Sequence, residues 1–112
     1  MSAELPRVVA AYIAAANEGD ADGVATCFTA DAVVADEGHE RHGSAAIAAW
    51  REEVTHKYRP RMAVGEVREE AGRTVVTGEV SGDFPGSPIT LRYAFTLAGT
   101  LAGERIARLD IG

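Results

Sequence analysis

The sequence predicts an α+β fold, and three observations lead to it. Apolar residues recur at helical spacing through the first half of the chain. From Arg61 onward the period changes to two. Turn residues separate the later apolar runs, so helices come first and hairpin-linked strands follow. At 112 residues there is room for one domain, residues 1–112, with a core large enough to fold alone.

The first helix is expected over Ala3 to Glu18. Ser2 can cap it, and Pro6 is tolerated in a first turn. Leu5, Val8, Val9, Tyr12, Ile13 and Ala16 form its apolar stripe, and Gly19 is its stop signal. Asp20 caps a short second helix that turns Val24, Cys27 and Phe28 inward. Asp31 opens a strand running from Ala32 to Asp36, and Asp36 to His42 reads as a polar loop. Gly43-Ser44 starts a third helix, Ala45 to Lys57, with Ile47, Trp50 and Val54 on its inner side. Arg61 to Glu69 and Arg73 to Phe84 are strands joined at Ala71-Gly72. Pro85-Gly86-Ser87-Pro88 is a loop. Ile89 to Ala98 is a strand with Ile89, Leu91, Tyr93, Phe95 and Leu97 on one face. Gly99 to Gly103 is a loose turn before a last strand, Glu104 to Ile111. Strands linked by short turns pair antiparallel and pack one face on the helices.

Composition narrows the partners. Hydrophobic residues make up 46% and charged residues 25%, as in an ordinary globular domain. A net charge of -6 argues against nucleic acid, which needs a basic face. No apolar run approaches the roughly 20 residues that span a bilayer, and MSAELPRVV lacks the pattern of a secretion signal. Cys27 is the only cysteine, so no internal disulfide forms and a cytoplasmic location is expected.

A few polar side chains interrupt the apolar pattern. Tyr12 lies on the buried stripe, so its hydroxyl needs a partner: a substrate oxygen or another side chain. Tyr93 carries the same two readings. Alternation puts Ala32, Val34 and Asp36 on one face. Asp36 is either a strand-end turn cap or a base in a dry pocket, where burial lifts its pKa toward working pH. The histidines of Asp36 to His42 lack a recognised ligand spacing, so no metal is expected. His56 is expected to complete a helix C-terminus. Arg108 and Asp110 share a strand face, and hydrophobic alternation turns Leu109 and Ile111 inward and leaves that pair outside.

Three segments carry a family resemblance: Tyr12 with Ala14-Ala15-Ala16-Asn17-Glu18-Gly19-Asp20, Phe28-Thr29-Ala30-Asp31-Ala32, and Gly43-Ser44-Ala45-Ala46-Ile47. Over essentially its whole length the chain resembles the nuclear transport factor 2-like superfamily, with its SnoaL-like polyketide cyclases and ketosteroid isomerases. The resemblance implies a cone-shaped fold: three N-terminal helices packed on a curved, mostly antiparallel sheet. It sets Tyr12 on an oxyanion-hole tyrosine, Asp36 on a general base and Trp50 on a pocket aromatic. Tyr93 falls where the isomerases carry a second, protonated aspartate. Aligned this way, Arg108 and Asp110 line the pocket, against the alternation reading.

Phe28, Val34, Trp50, Phe84, Tyr93 and Phe95 are the expected apolar walls. The leading expectation is a cofactor-independent isomerase or cyclase moving a proton on a small apolar carbonyl compound. Asp36 would be the base, with Tyr12 and Tyr93 as oxyanion donors. One alternative is a non-catalytic ligand-binding or dimerisation module. Another is a hydrolase activating water with Arg108 and Asp110. No cofactor, nucleic acid or membrane partner is expected, and a homodimer is, because this fold usually leaves its convex sheet face for a second copy.

Overall fold

Three helices lie against one face of a curved six-stranded sheet in a computed structural model that describes residues 4–100 and 103–112. The expected helix start at Ala3, the Ser2 cap and residues 101–102 of the expected turn lie outside the described residues. Helix α1 spans Arg7–Glu18 and α2 spans Ala21–Thr26. Strand β1 (Phe28–Asp36) and β2 (His39–His42) precede α3 (Ser44–Tyr58). The remaining strands are β3 (Arg61–Glu70), β4 (Arg73–Ser81), β5 (Ile89–Thr100) and β6 (Gly103–Ile111). The sheet order is β2-β1-β6-β5-β4-β3, and only the β1–β6 pair is parallel. Among the described residues, no helix is long and apolar enough to cross a membrane.

Local chemistry sets most element ends. Pro6 stands before α1 rather than in its first turn, with φ -56 and ψ 147. Proline also steers the preceding residue away from the helical region, which blocks extension backward. Gly19 ends α1 with φ 72, and its N–H reaches the carbonyls of Ala15 and Ala16. The Asp20 carboxylate accepts from the Gly23 N–H and caps α2. Cys27 closes α2 and Phe28 begins β1, so Phe28 belongs to a strand rather than to the second helix.

The largest local difference from the sequence expectation is the segment after Asp36. It is a hairpin, not a loop: Asp36 pairs with His39, and Val33 with His42. Glu37 and Gly38, with φ 53 and 77, make the two-residue turn. Such turns need positive φ at both positions and normally show Asn-Gly or Asp-Gly, so Glu-Gly hides the signal. Strand β4 ends at Ser81, three residues short of Phe84. There the chain leaves the sheet, and the Asp83 N–H donates to the Tyr58 carbonyl at 2.7 Å.

Register fixes which side chains share a face. The row Asp36, Ile111, Tyr93, Val76, Val67 crosses five strands. It lies on the helix-covered face with the row Val34, Leu109, Phe95. The intervening row, Ala35, Asp110, Ala94, Val75, Arg68, points the other way. Tyr12 packs edge-on against Phe28 at 5.8 Å and Phe95 at 5.5 Å. That cluster joins α1 to the sheet and dominates the core.

Candidate functional site

A cleft of about 370 Å³ opens at the end of the sheet beyond this core. Asp36 and Ile111 form its floor with Leu91 and Tyr93, while Trp50, Arg51 and Val54 come from α3. Phe84, carried by the loop after β4, closes one side. Beside the cleft lies a chamber of about 30 Å³ lined by Tyr12, Asn17, Met62 and other residues. Arg51 and Tyr93 line both spaces.

Asp36 is half-buried at the end of β1. Its Oδ2 accepts a hydrogen bond from Trp50 Nε1 at 3.3 Å. Burial pushes its pKa up, and the Glu37 carboxylate adds to the rise. The Trp50 bond, Arg41 and Arg51 pull in the opposite direction. The net result is a carboxylate held more basic than usual, half-buried in a cleft lined by both apolar and charged side chains, as a general base requires. The tight turn at Glu37 thus has a consequence at the site: it brings a second carboxylate beside Asp36.

Tyr93 stands in the same cross-sheet row, with Ile111 between it and Asp36. Burial raises its pKa strongly, aided by Tyr12 and Asp36 and opposed by Arg51. Tyr12 is 2% exposed and its pKa is also raised, first by burial. The adjacent Arg51 guanidinium offsets part of that rise. Both phenols therefore keep their protons at neutral pH and serve as hydrogen-bond donors.

The expected residues are only partly gathered. Asp36, Trp50, Phe84 and Tyr93 meet in the cleft. Tyr12 lines the small chamber instead, so the expected common pocket for Tyr12 and Asp36 is divided, with Arg51 and Tyr93 bordering both parts. Phe28, Val34 and Phe95 are not pocket walls. They are 5%, 0% and 0% exposed and fill the core against Tyr12 and its neighbours.

Arg108 and Asp110 are likewise not in the cleft. Arg108 Nε donates to both Asp110 oxygens at 3.2 and 3.0 Å, and Nη2 reaches Glu40 at 3.3 Å. Arg73 approaches Asp110 at 3.7 Å. This ladder lies on the face opposite the helices, because Leu109 and Ile111 take the inward positions. The alternation reading describes the strand, and the pocket-lining one is corrected. His42 Nε2 meets Glu40 at 3.1 Å on the exposed edge hairpin. Among the described residues, no three His, Cys, Asp or Glu side chains form a group that could hold a metal ion.

Sequence reasoning missed Arg51. It is 7% exposed and sits between the two cavities. Its guanidinium lies 5.1 Å from the Trp50 ring centroid. In Trp50-Arg51-Glu52-Glu53 it reads as the start of a solvated helix face. The usable signal was its position four residues after Ile47, on that residue's side of α3.

Three comparisons bear on this geometry. The model of the SnoaL-like domain family matches residues 9–109. A candidate polyketide cyclase from Sinorhizobium meliloti is 37% identical, with a TM-score of 0.88 over 96% of this chain and 95% of that one. A protein with a ketosteroid isomerase-like fold from Catenulispora acidiphila, solved with trimethylamine, is 19% identical. Its TM-score is 0.79 over 97% of this chain and 86% of that one. An NTF2-like protein from Cytophaga hutchinsonii is 16% identical, with a TM-score of 0.76 over 100% and 93%. The last two likenesses concern the fold alone. No curated protein sequence matches the chain.

Proposed function

The chain belongs to the SnoaL-like domain family, and from that premise we propose that its cleft moves a proton on a small, mostly apolar carbonyl compound, as a cofactor-independent isomerase or cyclase. The observation that carries this reading is the half-buried Asp36 carboxylate, raised in pKa, in one cleft with the protonated Tyr93.

In this reaction Asp36 removes a proton from the carbon next to the carbonyl. Negative charge then develops on the carbonyl oxygen, and the Tyr93 hydroxyl donates to it. The donor works in a site shielded from water, where its hydrogen bond is stronger than in bulk. Where the substrate carries a carbon–carbon double bond one carbon further on, the charge extends along a dienolate. Protonated Asp36 then returns the proton to its far carbon as the double bond shifts into conjugation, completing an isomerisation. Alternatively, the enolate carbon attacks a second carbonyl of the same molecule, closing a ring, and the alkoxide that forms takes back the proton held by Asp36. Neither route needs more than a base, a donor and a shaped cleft. The Sinorhizobium neighbour, a candidate polyketide cyclase, supports the ring-closing branch.

A second reading has one observation in its favour. The Trp50–Asp36 hydrogen bond occupies part of the carboxylate, as in a purely structural arrangement. In that case the cleft binds a ligand without transforming it. Proton exchange distinguishes the two. Cyclic and aryl ketones are incubated with the protein in D₂O, and deuterium uptake beside the carbonyl is followed by NMR. Uptake accelerated by the native protein and lost in Asp36→Asn is the expected result. Equal uptake with both proteins across the ketone series would leave only the binding reading.

A further inference from the structure

Arg51 is the only charged residue among the buried ones described, and it has no carboxylate partner. Its Nε is fully enclosed and makes no hydrogen bond. Several other guanidiniums are differently served: Arg68, Arg73, Arg92 and Arg108 stand in ion pairs on the opposite face. Arg41 donates to the Asp36 and His39 carbonyls. Arg51 instead faces the Trp50 ring, the Tyr12 and Tyr93 phenols and the apolar surface of Pro60 and Val80. A buried charge is normally paired, because loss of hydration is costly without a counter-ion. Asp36 is near enough to feel Arg51 but forms no ion pair with it and spends its hydrogen bond on Trp50. The missing counter-ion is therefore not supplied by the described residues.

We propose that Arg51 is the anion-recognition residue of the cleft, and that its ligand is an apolar carbonyl compound bearing a carboxylate. This rests on the preceding reading only in placing a ligand in the cleft; it does not depend on proton transfer. The guanidinium presents planar donors that match a carboxylate, and its charge lacks a carboxylate partner among the described residues. Leu91, Phe84 and Ile89 supply an apolar wall for the body of the ligand. The cleft of about 370 Å³ suits a molecule of one or two rings. With the carboxylate on Arg51, the ligand's body extends along the wall that Asp36 and Tyr93 share. Arg41 and Lys57 also line the cleft, but Arg51 alone of the three cations is buried, so an acidic protein would take an anionic ligand there against the sign of its net charge.

The test compares 2-naphthoate with neutral 2-naphthamide by calorimetry near neutral pH, using the whole chain. Naphthoate should bind about tenfold more tightly or better, the scale of a charged hydrogen-bonded contact. That preference should fall to about one in Arg51→Met and return in part in Arg51→Lys. In Asp36→Asn it should persist, since removing a neighbouring carboxylate frees more of the cation. The Arg51 Nε–H resonance should also shift with naphthoate and stay in place with naphthamide, a readout that needs no variant. Equal affinity for acid and amide, no binding of either, or an acid preference that survives Arg51→Met would each overturn the proposal. Acid preference without Asp36-dependent deuterium uptake would sink the proton-transfer reading and leave this one standing. Uptake without acid preference would do the reverse.

Discussion

On the convex face of the sheet, Glu40, Arg108, Asp110 and Arg73 form one ladder of charges, and Arg92, Glu70, Arg68 and Glu66 form another. Their side chains are 34% to 63% exposed, and each carries a partner. Across the same strands, the cleft holds Asp36 and Arg51 in less water, with one hydrogen bond from Trp50 and an Nε without a partner. The first arrangement is electrostatically satisfied and costs little to hold. The second is held against its own desolvation. Groups that a fold buries without satisfying them are the ones to suspect of function, whereas paired surface charges explain themselves.

The sharpest way to break this contrast is through activity. Asp36→Asn removes the base while keeping its size and its ability to accept from Trp50. Deuterium uptake into the ketone should fall by about 10²–10⁴-fold, the usual worth of a general base. Arg108→Ala on the opposite face should leave uptake unchanged. A drop of similar size in both would mean that the two faces are not distinct.

Adjacent residues on β6 extend the comparison to stability. Leu109 is 0% exposed, so Leu109→Ala should cost about 2–5 kcal/mol in urea unfolding. Arg108→Ala, with a side chain 41% exposed, should cost about 0–1 kcal/mol despite its contacts to Asp110 and Glu40. Screening by water and salt weakens those contacts, whereas a cavity in the core has nothing to fill it. Equal costs would contradict the placement of the two faces.

The smallest effect is in the pH dependence of Asp36. Its folded pKa lies above the unfolded value near 3.8, so folding favours its protonated form. The ionised group therefore destabilises the fold above the folded pKa. That penalty is relieved as pH falls from the folded pKa toward the unfolded one. Asp36→Asn should consequently be as stable as the native chain or slightly more so near neutral pH, and should lose its advantage in acid. An NMR titration of the Asp36 carboxyl carbon checks the direction; a midpoint at or below 3.8 would refute it.

The order of elements, the Gly19 stop and the Asp20 cap were legible because each rests on a local rule: helical period, left-handed glycine, side-chain capping. Alternation also turned Leu109 and Ile111 inward. The hairpin after Asp36 was illegible because Glu37 adopts a positive φ that glutamate seldom takes. Phe28, Val34 and Phe95 were right as inward apolar residues and wrong as pocket walls. The pattern of one strand tells which face a side chain takes. It does not tell whether a helix fills the space above it.

Arg51 marks the same boundary from the other side. By residue type it belonged to solvent, and only the meeting of α3 with Tyr12 and Tyr93 encloses it. The sequence alone determined the α+β class, the secondary-structure order and the inward stripe of each element, since these depend on neighbours along the chain. Tertiary structure decided which inward residues border empty space and which border each other. It separated Tyr12 from the cleft of Asp36, sent Arg108 and Asp110 to the far face and left Arg51 buried without a counter-ion. Those outcomes depend on the packing of residues far apart in the chain, and no local spacing encodes them.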